Sequence, residues 1–312
     1  MKKKLAKLNK ITQQLLAVLK LSPRNVYKLI LRATEPRPSV VVNKSSFGTF
    51  CGFQNDYLYQ SALSQGSNEP HFEEIIECLI KENSVVLDVG SNIGTHSVLL
   101  SKKVKSGQVY AFEPQSLVFS ILQNNLLLNN CSNVTPYRFA VSNVNNSVIS
   151  MEAFSFSGER INNGAIRVDY KPGGYGDLVL TRNLDSFKFS AVDFIKMDIQ
   201  GSEVNALFGA EELISKHRPI IFIEIEELHL RALGFSSKIL IEKLLSFGYA
   251  LYRVETSYPC DHLCIPLEMV DKFERVDQPK INFPLSKIVG KSVALTFLTE
   301  KSQNYETVVV GQ

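Results

Sequence analysis

The sequence predicts an α/β fold, a largely parallel sheet covered by helices on both faces. Three observations predict it. From Ser84 onward, short apolar runs alternate with longer stretches of helical periodicity. The first run, Val85-Val86-Leu87-Asp88-Val89, ends next to an acid and turns at Gly90-Ser91-Asn92-Ile93-Gly94 into a helix. A chain of 312 residues with 45% hydrophobic and 21% charged side chains suits one large globular domain with extensions.

The elements follow in order. Residues 1–34 carry Leu5, Leu8, Ile11, Leu15, Leu16 and Leu19 at helical spacing, with lysines between them. This predicts a basic amphipathic helix. It either lies peripherally on the inner face of an anionic membrane or packs on the domain or a partner. Nine of the 34 basic residues fall in this segment, which has no acid, so the other 25 face 31 acids, a net −6. A mildly acidic body excludes a nucleic-acid grip. No apolar run reaches the roughly 18 residues of a membrane span. The apolar stretch of the N-terminus is broken by Gln13, Gln14 and Lys20 and lacks a cleavage site, so no signal peptide is expected. Five cysteines without framework spacing fit reduced thiols and a cytoplasmic setting.

Residues 35–83 are read as a hairpin around Phe47 to Tyr59, then a helix opened by Pro70, with Phe72, Ile75, Ile76, Leu79 and Ile80 on one face. The main domain is expected over 84–270. Its strands are predicted at 84–88, 108–113, 134–139, 193–198, 219–225 and 249–254, and its helices at 94–104, 115–129, 202–215 and 236–247. Residues 150–181 interrupt that rhythm. They are rich in Gly, Asn and Ser, with a hairpin turn at Asn162-Asn163-Gly164, and read as a lid, a binding loop or disorder. Residues 271–312 form a C-terminal extension.

The turn after Val89 is the first candidate site. A dinucleotide fingerprint would need glycine where Asn92 and Thr95 stand. The G-x-x-x-G turn, Gly90 to Gly94, suits a ligand with an amino-acid end. Its backbone N–H groups can meet a carboxylate, and Asp88 an ammonium group. Glu113 ends the next strand, where a carboxylate can accept both ribose hydroxyls. Phe112 and Pro114 are placed to flank an adenine, and Ser142 or Asn143 to bond its edge. The alternatives are a nicotinamide site and plain helix capping by Asp88 and Glu113.

A second candidate lies at Asp193-Phe194-Ile195-Lys196-Met197-Asp198-Ile199-Gln200-Gly201-Ser202-Glu203. A buried strand ends at Asp198, and Glu224 and Glu226 end the following one. Strand tips on one edge of a parallel sheet share a crevice, so these carboxylates converge with Asp88 and Glu113. Such a set binds a hydroxylated substrate, activates its hydroxyl or holds a divalent metal. Asp198 is the first candidate base, then Glu224 and Glu203; His96 and His229 follow. Cys260-Asp261-His262-Leu263-Cys264 lacks a second ligand pair and reads as a strand, so no metal is assigned to it.

The pattern VLDVGxNxG at 86–94, AFEP at 111–114, AVS at 140–142, IKxDxxGxE at 195–203 and RPIIFIEIE at 218–226 resembles the FkbM family of S-adenosylmethionine-dependent methyltransferases. The resemblance covers roughly 84–230. It departs at Gln200, where the family usually has Glu. Glu69-Pro70 also looks like a family feature that closes over the site. The resemblance implies a Rossmann-like class I methyltransferase fold: a mostly parallel seven-stranded sheet with helices on both faces, here with an N-terminal helical extension. It implies S-adenosyl-L-methionine as cofactor, held by Asp88, Gly90, Asn92, Gly94, Phe112, Glu113 and Ser142, with no metal assigned. It further implies O-methylation of a sugar, glycolipid or natural-product hydroxyl by in-line displacement at the sulfonium methyl. A nicotinamide-dependent oxidoreductase and a non-catalytic methyltransferase-like binding protein are the alternatives.

Overall fold

The computed structural model describes residues 39–54, 56, 59–60, 63, 69–151, 168–169, 177–256, 260–289, 294–298 and 305–309; at 168–169, 289, 294–298 and 305–309 it describes the backbone alone. The basic helix expected over 1–34, the Asn162-Asn163-Gly164 turn and most of the 150–181 insertion lie outside the described residues.

The chain begins with a hairpin, β1 (Val40–Lys44) and β2 (Thr49–Phe53), then α1 (Pro70–Leu79). Next come β3 (Val85–Val89), α2 (Thr95–Lys103), β4 (Gln108–Phe112), α3 (Ser116–Leu128) and β5 (Val134–Tyr137). A small sheet follows, of β6 (Ala140–Val141), β7 (Val148–Met151), β8 (Val168–Asp169) and β9 (Asp177–Arg182). The chain then returns through β10 (Phe194–Met197), α4 (Glu203–Phe208), α5 (Glu211–His217) and β11 (Ile220–Glu224). It continues with α6 (Glu227–Ala232), α7 (Ser237–Ser246), β12 (Tyr249–Val254) and β13 (Asp261–Pro266). Short helical turns over 267–280 lead to β14 (Leu285–Val289), and β15 (Ala294–Leu298) pairs with β16 (Tyr305–Val309).

The main sheet has eight strands in the order β14-β12-β13-β11-β10-β3-β4-β5. β3, β4, β5, β10 and β11 run parallel, while β13 is antiparallel to both of its neighbours. The expected seven-stranded, mostly parallel sheet is therefore present, and β14 adds one more antiparallel strand at its edge. Strand order reverses between β3 and β10, which opens a crevice at their carboxyl ends.

Alternation along each strand builds two cores. Val86, Val109, Phe194, Phe222 and Tyr252 face α1 and α2, where Phe72, Ile75, Ile76 and Leu100 are buried. Leu87, Ile195, Ile221 and Leu251 face the opposite way, onto Val204, Leu207, Leu213, Ile214, Leu240 and Leu244 from α4, α5 and α7. The hairpin is fastened to the domain by Asn125 of α3. Its Oδ1 accepts from the Cys51 N–H (2.6 Å), and its Nδ2 donates to the carbonyls of Cys51 (3.0 Å) and Ile93 (2.7 Å).

Three local expectations are corrected. The hairpin spans Val40 to Phe53 rather than 47–59; it turns at residues 45–48, where the Ser45 N–H donates to the Gly48 carbonyl. Tyr59 instead lies fully buried over Gly52. The strand expected over 134–139 stops at Tyr137, and Ala140–Val141 leaves the main sheet to pair with β9. The helix expected over 202–215 breaks into α4 and α5. At the break, Gly209 sits so close to the Ser142 carbonyl that a Cβ there would overlap it. The five cysteines are free thiols. No described helix is long and apolar enough to cross a membrane.

Candidate active site

β3 delivers Asp88 fully buried to the crevice. Its Oδ2 accepts from the Ser97 hydroxyl at 2.5 Å, and its carbonyl from the Ser91 hydroxyl at 2.7 Å. Its Oδ1 has no hydrogen-bond donor among the described residues. Burial pushes the Asp88 carboxyl above its ordinary pKa, opposed by the Lys196 ammonium and Ser97.

The turn that follows requires glycine at Gly90. Its φ is +85°, and a Cβ would overlap the Asp198 carbonyl oxygen, so this turn and the Asp198 loop lie in contact. Asn92, at φ 49°, takes the left-handed conformation that asparagine tolerates. The Gly90 and Ser91 N–H groups both donate to the Phe112 carbonyl at 3.0 Å, binding the turn to the tip of β4. Gly94, at φ +90°, caps the start of α2.

Glu113 stands at that tip, 7% exposed. Its two carboxylate oxygens accept from the Asn92 N–H (3.1 Å) and the Gln115 N–H (2.8 Å). Burial raises its pKa to about 7 despite those bonds. Phe112 is placed differently from the expectation. Its ring is 1% exposed and packs on Tyr137 (5.4 Å) and Phe187 (5.3 Å) in the core, because the last residue of β4 turns its side chain inward. Ser142 is buried on the small sheet, its N–H donating to the Arg182 carbonyl and its hydroxyl to Asn143 Oδ1.

On the other side of the crevice, Lys196 lies at the centre of β10, 3% exposed. In register it stands beside Asp88. Its ammonium donates to the Gly90 carbonyl at 3.0 Å and lies 3.5 Å from Asp198 Oδ2 and 3.9 Å from Asp88 Oδ1. Burial disfavours that charge, but Asp198, Asp88 and Glu69 outweigh it and hold the Lys196 pKa above the ordinary lysine value.

Asp198 keeps about a third of its side chain open to solvent. Burial raises its pKa, yet Lys196 and hydrogen bonds from Gln200 and Glu224 prevail and hold it low. Glu224 moves the other way: burial and the Asp198 charge push its pKa well up. The two carboxyls are thus driven apart, Asp198 toward the ionised form and Glu224 toward the protonated one. Gln200 spans both, its Nε2 2.9 Å from Asp198 Oδ1 and 3.2 Å from Glu224 Oε2. A glutamate there would add a third carboxyl; the glutamine donates instead.

Glu203 is brought close but turned inward. It is 1% exposed, and its Oε1 accepts from the N–H groups of Ile199 (2.9 Å) and Gly201 (3.3 Å). It shapes the loop that carries Asp198. Burial lifts its pKa to about 7. Glu226 and His229 lie beside Glu224, with His229 Nδ1 3.3 Å from Glu226 Oε2 and 3.8 Å from Glu224 Oε2.

The sequence reading missed Lys196, His71 and Asp261. The signal for Lys196 was a lone cation inside an apolar strand. Asp261 opens the antiparallel strand β13, which places it opposite Glu224. His71 and Glu69 arrive at the start of α1; His71 Nε2 donates to Asp261 Oδ2 at 2.9 Å. Burial and the Asp261 charge raise the Glu69 pKa to about 8. His96, packed against Phe72 with the rings tilted and 4.6 Å apart, lies with its Nε2 3.5 Å from Glu69 Oε2. Burial depresses its pKa to about 3. Of the Cys260–Cys264 run, Cys264 is fully buried in the core, and His262 Nδ1 lies 2.7 Å from the Cys260 carbonyl.

This geometry stands beside known proteins as follows. A family model described as the Methyltransferase FkbM domain matches residues 88–251, more than half of the chain. "Methyltransferase sdnD" of Sordaria araneosa is 24% identical over 171 residues, 43% of this chain and 62% of that protein. "Methyltransferase 1" of Beauveria bassiana (strain ARSEF 2860) is 22% identical over 200 residues, 57% of this chain and 78% of that protein. The crystal structure of Methyltransferase FkbM from Methylobacillus flagellatus KT is similar with a TM-score of 0.43 at 24% identity, covering 59% of this chain and 44% of that one. The chain thus spans less than two thirds of the length of the Sordaria relative and less than half of the Methylobacillus one.

Proposed function

We propose, on the premise that this chain belongs to the FkbM methyltransferase family, that it transfers a methyl group from S-adenosyl-L-methionine to a hydroxyl of a sugar, glycolipid or natural-product acceptor. The observation that carries this reading is the contact of the Gly90 turn with the Asp198 loop. It sets a turn suited to the cofactor's amino-acid end against the backbone of the loop that carries Asp198, whose carboxyl is held low in pKa.

The residues present fit such a cofactor. Asp88 Oδ1 is a buried acceptor in need of a donor, which an ammonium group or a bridging water supplies. Glu113 at the tip of β4 offers a carboxylate to ribose hydroxyls, and the N–H groups between Gly90 and Gly94 suit a carboxylate. Ser142 and Asn143 are retained for the adenine edge. When bound, the cofactor supplies a methyl group activated by a sulfonium.

The chain's own work is alignment and proton handling. Asp198 receives the acceptor hydroxyl's proton at Oδ2 or Oδ1. Lys196 fixes Asp198 and holds it ionised, and Gln200 ties it to neutral Glu224, which donates to the acceptor's oxygens. Glu203 is a positioning residue for the Asp198 loop.

Methyl transfer from labelled S-adenosylmethionine to a panel of cell glycans and lipids tests the proposal. Asp198→Asn is expected to lower kcat by roughly 10²- to 10⁴-fold with little change in S-adenosylhomocysteine affinity. Calorimetry that finds NADH bound and S-adenosylhomocysteine ignored would falsify the reading.

A further inference from the structure

We propose that Glu69, His71 and Asp261, with His96 beside them, form a binding site for one divalent transition-metal ion. Three separate elements bring these residues together. Glu69 stands at the N-cap of α1 and His71 in its first turn, β13 opens with Asp261, and His96 sits in the first turn of α2. Glu69, His71 and Asp261 each offer a ligand atom, and these atoms lie within 4.8 Å of one another. His71 Nε2 is 2.9 Å from Asp261 Oδ2 and 4.0 Å from Glu69 Oε2. Ligands held about 2.0–2.2 Å from a zinc-like ion stand roughly 3–3.5 Å apart, so the spacing needs little adjustment.

His96 supplies the independent observation. Its residue is 8% exposed, its Nε2 has no hydrogen-bond partner among the described residues, and that nitrogen lies 3.5 Å from Glu69 Oε2. A buried ring nitrogen without a partner is costly, and an ion shared with Glu69 removes the cost. A plain His71–Asp261 ion pair explains two of these residues and leaves His96 facing Glu69 at 3.5 Å, short of a hydrogen bond. Both rings are fixed by aromatic neighbours: His96 against Phe72 at 4.6 Å, His71 between Phe222 (6.0 Å) and Phe283 (5.8 Å). Fixed imidazoles are what a metal centre needs from its surroundings. One imidazole and two carboxylates, with the second imidazole 3.5 Å from Glu69, favour an ion of the zinc, cobalt or iron type over magnesium or calcium.

The location gives the ion a task, which rests on the methyl-transfer reading. Asp261 stands opposite Glu224, and Glu224 is joined through Gln200 to Asp198. An acceptor hydroxyl bound there is polarised by the ion. As its oxygen bonds to the methyl carbon, the sulfur–carbon bond breaks, the thioether leaves and the proton passes to Asp198.

The test is a titration of the chelator-stripped full chain with Co²⁺, read by its visible absorption. One equivalent is expected to bind, displaced by Zn²⁺ and not by Mg²⁺. His71→Gln, His96→Gln and Asp261→Asn should each weaken Co²⁺ binding at least tenfold, and His229→Gln should leave it unchanged. Thermal unfolding accompanies each variant. Absence of a Co²⁺ spectrum in the unaltered chain overturns the site regardless of how the variants fold. So does loss of the spectrum in His229→Gln but not in His71→Gln, which moves the ion to Glu224, Glu226 and His229. S-adenosylhomocysteine binding is measured on the same stripped sample. Co²⁺ binding without it keeps the metal site and removes the methyl-transfer reading; the converse removes only the metal site.

Discussion

On the β3–β4 side of the crevice, polar groups are met by backbone and neutral side chains: Glu113 by the N–H groups of Asn92 and Gln115, Asp88 by Ser97, the turn itself by the Phe112 carbonyl. On the β10–β11–β13 side they are met by charge. Lys196 stands among Asp88, Asp198 and Glu69, and Glu224, Gln200, Asp261 and His71 continue the network. Under the proposed function, the first arrangement, made of local hydrogen bonds, suits recognition of the cofactor. The second can redistribute protons, and this suits it to the chemistry.

The sharpest way to break this contrast is Lys196→Met. A buried cation is removed while its carboxylates stay. Stripping one partner from a buried charged network costs about 3–5 kcal/mol. The expected outcome is a large drop in chemical-denaturation midpoint, with Asp88 and Asp198 taking up protons at higher pH than in the unaltered chain. An unchanged midpoint would show that solvent, not Lys196, carries the acid side.

The matching cut on the other side is Asn125→Ala. It leaves the Cys51 N–H and carbonyl and the Ile93 carbonyl without their partner, all of them neutral groups. A loss of about 2–3 kcal/mol is expected, smaller than for Lys196. Because Ile93 belongs to the turn, S-adenosylhomocysteine affinity should fall as well. Equal losses in the two variants would erase the distinction between a charged and a neutral half.

The same division governs what was legible in the sequence. The β3–β4 half is written in contiguous residues: a strand, an acid and a glycine turn from Val85 to Gly94, then Glu113 at the next strand tip. The alternation of short apolar runs with helical stretches also exposed the parallel sheet. The acid half was legible only where it was contiguous, from Asp193 to Glu203 and at Glu224. Glu203 was legible as an acid near the site, but its inward turn onto the Ile199 and Gly201 N–H groups depends on loop conformation. His71 and Asp261 are 190 residues apart and meet only because β13 runs antiparallel and starts at the carboxyl edge. For Phe112 the motif was legible and the burial was not. It lies in the right motif, yet strand alternation buries its ring.

The smallest and most selective probe is the pH dependence of cofactor binding. Burial raises Glu113 to about 7, so it is neutral in slightly acid solution and ionised above that. Ribose hydroxyls donate, and they favour the ionised form. Affinity for S-adenosylhomocysteine is therefore expected to strengthen from about pH 6 to pH 8, by at most roughly tenfold per unit below the pKa. Stability runs the other way. A carboxyl raised in the folded state stabilises the fold at pH values below its unfolded pKa and loses that contribution as pH climbs through about 7. Glu203, also at about 7, adds to the stability trend but not to the affinity trend, since it bonds only its own loop. Glu113→Gln should therefore weaken binding, flatten its pH profile and leave part of the stability slope in place. A pH-dependent affinity that persists in Glu113→Gln would transfer the titration to the charged half and with it the assumption that the neutral half recognises the cofactor alone.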